Sequence, residues 1–238
     1  MFFIFCCVLP GFANASESCL DEPKRLIDRW LWEMSEYDIS FNCKSWPEAG
    51  VNIIIARISR QDEIDLEVVM QDLDSGSVIG HFIQKSELSG RAIFNYDVEV
   101  DTDVVTLHLK EKTFGVRAFW RNSSQPNPYS RQTLSLYSMR DGELVKVLDS
   151  LLEKKRYGEW DTHCQGTFNS KEVRISEKTP WIPHGVLFVS ETTTESVSRK
   201  TKDGYFDTVD EVGVESYKLV YNGYRYEVPE VIYAPNEW

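Results

Sequence analysis

From Val51 onward, apolar side chains return at every second position in short runs rich in Val, Ile, Tyr and Phe. A period of two is that of a strand, whose successive side chains point to opposite faces, and not the 3.6-residue period of a helix. Residues 51–59, 66–71, 78–83, 104–109, 114–120, 134–137, 144–148, 186–190, 217–221 and 224–228 are therefore expected as strands. Between them stand Asp72-Leu73-Asp74-Ser75-Gly76, Asp141-Gly142 and Asn222-Gly223. These are residues that tolerate the left-handed backbone of a tight hairpin turn. Short turns join antiparallel neighbours, whereas parallel strands need crossovers of a dozen or more residues. The expectation is a mainly β fold of antiparallel hairpins.

Two architectures satisfy that expectation. Residues 66–83, 134–148 and 217–228 each read as strand, short polar turn, strand, like the outer strands of a propeller blade. Their spacing is wider than the roughly 40–50 residues of propeller repeats, so a degenerate β-propeller-like array and a β-sandwich both remain open. Ser123–Ser130 and Thr192–Asp203 are polar and read as linkers, the second as a mobile loop.

Ahead of the strands lie two other segments. Met1–Ala15 has no charged side chain and carries the run Phe2-Phe3-Ile4-Phe5-Cys6-Cys7-Val8-Leu9, too short for the roughly 20 residues of a membrane span. Pro10 and Gly11 break the run, and Ala13-Asn14-Ala15 places small residues where a signal peptidase reads. Residues 1–15 are read as a signal peptide, cleaved after Ala15, although the usual leading Lys or Arg is missing. Within 16–50, residues 21–36 read as one amphipathic helix: Asp21 caps it, Pro23 lies in its first turn, and Leu26, Ile27, Trp30, Leu31 and Met34 share a face. Residues 51–238 are then a single antiparallel β domain on which that helix packs. No later stretch reaches membrane-spanning length, so no integral membrane segment is expected after signal removal.

Export makes a disulfide plausible. With Cys6 and Cys7 removed, Cys19, Cys43 and Cys164 remain. Cys19 with Cys43 brackets the expected helix and is the favoured pair; Cys43 with Cys164 is the alternative. No C-x-x-C or Cys/His cluster has zinc spacing, so neither a metal nor another cofactor is expected.

The formal net charge is -12. Nucleic acid and anionic membranes require a basic face that releases counterions, so both are disfavoured as partners. An acidic surface instead suits a basic protein. Asp97, Glu99, Asp101 and Asp103 alternate, so that on a strand they would share a face. Such a row is either a solvated face or a contact for a basic partner. The second cluster, Gly158-Glu159-Trp160-Asp161-Thr162-His163-Cys164-Gln165-Gly166, combines carboxylates, an aromatic ring, a His and a Cys. His163 adjoins Cys164 and on a strand would point away from it, which argues against a Cys–His catalytic pair. Glu159 or Asp161 with another carboxylate could serve a hydrolase, provided the two face each other across about 5–10 Å. Lys200 and Lys202 stand where a calcium loop around Gly204 would carry acids, which argues against calcium.

Four groups of residues, in order, carry a resemblance: Phe114-Gly115-Val116-Arg117; Leu134-Ser135-Leu136-Tyr137 with Asp141-Gly142; Gly158-Glu159-Trp160-Asp161 with Cys164; and Leu219-Val220-Tyr221-Asn222-Gly223 with Tyr226. Together, over roughly residues 95–228, they resemble a family of exported proteobacterial proteins of unassigned activity. That resemblance implies a periplasmic location and a β-rich fold, and no reaction. A looser likeness, of fold alone, is to integrin-like periplasmic proteins that neutralise lysozyme-type effectors. The sequence thus leads to a periplasmic or secreted binding or inhibitor-type protein, more a binder than an enzyme. It would act on a basic cell-wall hydrolase through Asp97, Glu99, Asp101, Asp103, Glu159, Trp160 and Asp161. A carboxylate-dependent hydrolase and a structural envelope component are the alternatives.

Overall fold

The computed structural model describes residues 19, 38–60, 63–90, 92–103, 113–161, 165–178, 186–202 and 204–234. The expected signal peptide, the helix over 21–36, the strand over 104–109, and His163 and Cys164 lie outside them.

The described chain is mainly β, in two antiparallel sheets. The first is a four-stranded meander: β1 (Asp38–Trp46), β2 (Val51–Arg60), β3 (Glu63–Asp72) and β4 (Val78–Gln84), in that order. A 3-10 turn at Pro47–Ala49 links β1 to β2, and the left-handed residue that closes it is Gly50, φ 67°. The second sheet has seven strands, also in chain order: β5 (Phe94–Asp101), β6 (Thr113–Arg121), β7 (Tyr129–Arg140), β8 (Glu143–Trp160), β9 (Gly166–Lys178), β10 (Leu187–Thr201) and β11 (Gly204–Leu219). Each strand pairs with its sequence neighbour, as the short turns required. Asp141 (φ 51°) and Gly142 (φ 85°) form the two-residue link of β7 to β8 with both residues left-handed, the hairpin geometry their side chains favour.

One expected loop is a strand. Thr192–Asp203 was read as a mobile linker, yet β10 runs unbroken to Thr201, paired with β9 on one side and β11 on the other. Its Thr and Ser side chains are polar, but β-branched Thr fits a pleated strand, and the ladders on both sides satisfy the backbone.

Two cores hold the sheets. In the first, Ile53, Ile55, Val68 and Met70 of the small sheet meet Val98, Val100, Phe114, Val116, Trp120 and Tyr137 of the large one. The Phe114 and Tyr137 rings stack at 5.7 Å, and Phe82 meets Tyr137 edge-on at 5.3 Å. Gly80 lets the sheets close here, because a Cβ on it would lie 2.7 Å from the Met139 sulfur. The second core gathers Leu134, Leu136, Val147, Leu148 and Leu151 of β7 and β8, Val173, Leu187, Val189 and Leu219 of β9–β11, and Tyr226 and Ile232 from beyond β11. This last segment lies along the N-terminal half of β8: Tyr226 N–H donates to Val147 O at 2.7 Å, Ala234 N–H to Ser150 O at 3.0 Å, and Leu151 bridges Tyr233. Strand β9 pairs β8 only along Lys154–Trp160, so the C-terminal segment takes the place beside β8 that β9 leaves.

A third, smaller cluster lies on the small sheet. Cys43, Ile54 and Val69 are buried with Cys19, and Phe41 and Val78 pack against them. Cys19 and Cys43 are joined, with Cα atoms 5.9 Å apart, the pairing favoured from their spacing.

Candidate functional site

A groove of about 620 Å³ crosses strands β5–β9. Its β5 side carries Glu99 and Asp101, with Asp103 just beyond the strand. Val98 and Val100, the alternate residues, are buried in the first core. The expected alternation is therefore real: the apolar positions anchor β5 and the acids stand free of the core.

The floor is an arginine clasped by two carboxylates. Antiparallel register sets Arg117 of β6 opposite Glu99 of β5. Its Nε donates to Glu153 Oε2 at 2.6 Å and one terminal nitrogen to Glu153 Oε1 at 3.1 Å, a bidentate pair; the other terminal nitrogen donates to Asp101. Gln132 Nε2 donates to Glu153 at 2.7 Å. Glu153 owes its place to a bulge. Gln132 pairs with Lys154 and Thr133 with Leu152, so Glu153 is the extra residue of β8, and bulges re-aim side chains in this way.

These contacts fix the charges. Burial works against ionising Asp101, but hydrogen bonds from Arg117 and the Asp103 N–H, with the charges of Arg117 and Lys44, hold its pKa below the ordinary carboxylate value. Burial would likewise lower Arg117, yet Glu153 and Asp101 push it above the usual range. With its donors turned to two carboxylates, Arg117 is a brace for the floor and a poor hook for an anion. The far wall is β9, where Arg174 meets Glu172 at 2.9 Å and Lys154 approaches the same carboxylate at 3.9 Å.

Five carboxylates (Glu99, Asp101, Asp103, Glu153, Glu172) therefore line the groove against three cations (Arg117, Lys154, Arg174). Asp101, Glu153 and Glu172 are engaged. Glu99 and Asp103 are exposed at the rim, and among the described residues no ion pair engages their carboxylates. The arrangement can hold cationic groups.

The seven residues expected to form one surface divide into three places. Glu99, Asp101 and Asp103 are in the groove. Asp97 is exposed on β5; its carboxylate accepts the Val98 N–H at 2.8 Å and its charge acts on Arg57 of β2. Glu159, Trp160 and Asp161 sit at the far end of β8. There the Asp161 carboxylate accepts the Gln165 N–H at 2.8 Å, and Trp160 stacks on Phe168 at 6.2 Å. Asp161 is thus occupied in holding the β8–β9 turn. Among the described residues no group of three or more His, Cys, Asp or Glu is placed to hold a metal ion.

Sequence reasoning missed Arg117, Gln132, Glu153, Lys154, Glu172 and Arg174 as groove residues. It also missed a second polar cluster, centred on Lys146 of β8, whose side chain is 8% exposed. Its ammonium donates to Glu87 at 2.8 Å, to Asp149 at 3.0 Å and to Gln84, and lies 5.7 Å from the Phe82 ring centre. Burial acts to lower the Lys146 pKa, but neighbouring Tyr137 and the carboxylates of Glu87 and Asp149 raise it above the ordinary value. A lysine held protonated is no nucleophile. This cluster ties the small sheet to β8 rather than reacting.

Comparison with protein-family models, with curated proteins and with solved structures returns no match. The site must therefore be read from its own chemistry.

Proposed function

We propose that this chain is an exported binding protein of the inhibitor type, which holds a basic protein partner against the acidic groove. The observation that carries the reading is the groove rim: among the described residues no ion pair engages the Glu99 and Asp103 carboxylates, whereas on the floor and far wall Asp101, Glu153 and Glu172 are matched by Arg117, Lys154 and Arg174. A partner's Lys or Arg would add the missing charges, and the chain's overall charge of -12 would steer its approach. A basic cell-wall hydrolase in the periplasm fits this chemistry. The Cys19–Cys43 link suits an oxidising compartment, and no helix among the described residues is long and apolar enough to cross a membrane. The two facing sheets are in keeping with sandwich-type packing more than with propeller blades.

The test is calorimetric titration of residues 16–238 with a lysozyme-type hydrolase across a salt series. Binding should weaken steeply with salt, and Glu99→Gln with Asp103→Asn should cost about ten-fold in affinity, the scale of one strong charge pair. Affinity indifferent to salt and to both substitutions would remove the groove from the reading.

A further inference from the structure

Strand β11 ends the seven-stranded sheet: β10 pairs with one side, and no described strand pairs with the other. Among the described residues its outer edge carries unpaired main-chain N–H and C=O groups, a template on which another strand can add. Proteins keep such edges from pairing with their own copies by means of bulges and charges. Both devices are present. Thr193 faces Gly213 and Thr194 faces Glu211, leaving Val212 as an extra residue, and Asp210 and Glu215 are exposed. Antiparallel self-pairing centred between Val212 and Gly213 would set Glu215 of one copy against Asp210 of the other, and like charges directly opposite are destabilising.

Beyond the bulge the edge is well suited to a different strand. Register with β10 is unbroken from Thr193–Gly213 to Leu187–Leu219. The stretch is anchored from beneath by Leu187, Val189 and Leu219 in the second core. Val214 and Val220 are 60% and 53% exposed, and a Cβ on Gly213 would meet nothing within 4 Å. An open ladder, exposed β-branched side chains and a carboxylate together match an extended segment in which Lys or Arg alternates with apolar residues.

We infer that the β11 edge at Gly213–Leu219 accepts an extended basic segment of a protein partner as an added antiparallel strand. This rests on the reading above for the partner's charge and adds how the partner is held. Main-chain hydrogen bonds supply the register, the exposed valines supply apolar contact, and Glu215 selects cations.

The experiment titrates residues 16–238 with a nine-residue alternating Lys/Val peptide, the same peptide N-methylated at every residue, and a Glu/Val version. Amide hydrogen exchange locates the bound peptide. The Lys/Val peptide should bind at least about ten-fold tighter than either control and slow exchange over 213–219. Val214→Pro should weaken it by a similar factor with far-ultraviolet circular dichroism unchanged, and Val214→Lys should do so through charge without disturbing the backbone. Equal binding of the N-methylated peptide, or protection confined to the groove strands, would overturn strand addition and leave the groove reading standing. Preference for the Glu/Val peptide, dimerisation through β11 in the absence of peptide, or no binding of any peptide would overturn it as well.

Discussion

Strands β2 and β11 are both long antiparallel strands, yet they stand in opposite surroundings. From Val51 to Ala56 every side chain of β2 is buried. Ile53 and Ile55 enter the first core, while Ile54 enters the cluster around Cys19 and Cys43. From Val212 to Ser216 every side chain of β11 is exposed. A strand covered on both faces reads as a continuous apolar run, and a strand uncovered at an edge reads as mixed and charged. The same ladder thus serves two purposes, and the layers around it decide whether it carries stability or surface.

If that contrast is right, truncation in β2 should have the largest effect. Ile55→Ala should lower unfolding free energy by about 2–5 kcal/mol in urea titrations, the range for buried Ile to Ala. A loss below about 1 kcal/mol would break the comparison. Cys19→Ser tests the outer face of the same strand. The link closes a sequence separation of 24, and its loss should cost about 3 kcal/mol, reproduced by reduction of the parent chain.

A smaller effect is expected in the groove. Arg117→Gln leaves Asp101 and Glu153 without their shared cation, and about 2 kcal/mol should be lost by thermal unfolding. The acid limb separates two carboxylates of opposite sign. Asp101 is held below its ordinary value, so its contribution is present above pH 3.8 and disappears as the pH falls through the lowered pKa. Glu87 is raised, chiefly by burial, so its contribution is complete below about its ordinary 4.5 and disappears as the pH rises through the raised pKa. In stability–pH curves, Asp101→Asn should flatten the low-pH fall, and Glu87→Gln should remove a decline on the higher side. The smallest effect belongs to β11, where Val214→Thr should change stability by no more than about 0.5 kcal/mol.

Much of the strand pattern was legible because its signal is local. Period-two runs and Asp-Gly turns are written within a few residues, and they marked the β2, β3, β4, β6 and β7 strands and the β7–β8 hairpin. Strand β10 was misread where Thr192, Thr193 and Thr194 suggested polarity, because the β9 and β11 ladders that satisfy them come from other segments. Although β5 itself was not among the expected strands, its acidic row was legible because alternation is local. Its counterpart was not. Arg117 meets Glu153 only because strand register and a bulge in β8 bring together residues far apart in sequence, and no local pattern records either. Lys146 was equally hidden, since a lysine at a polar position of a strand looks solvated until Glu87 and Asp149 are seen around it.

Both sheets are simple meanders, and that wiring governs the order in which contacts can form. A strand that pairs with its sequence neighbour closes only a short loop, so β1–β4 and β5–β11 can each zip progressively with little loop-closure entropy. The C-terminal segment is the exception. Tyr226 must return to Val147 and Tyr233 to Leu151 across three intervening strands, a closure that the hairpins do not prepare. Seating that segment is therefore the natural last event of folding, and its release the natural first event of unfolding.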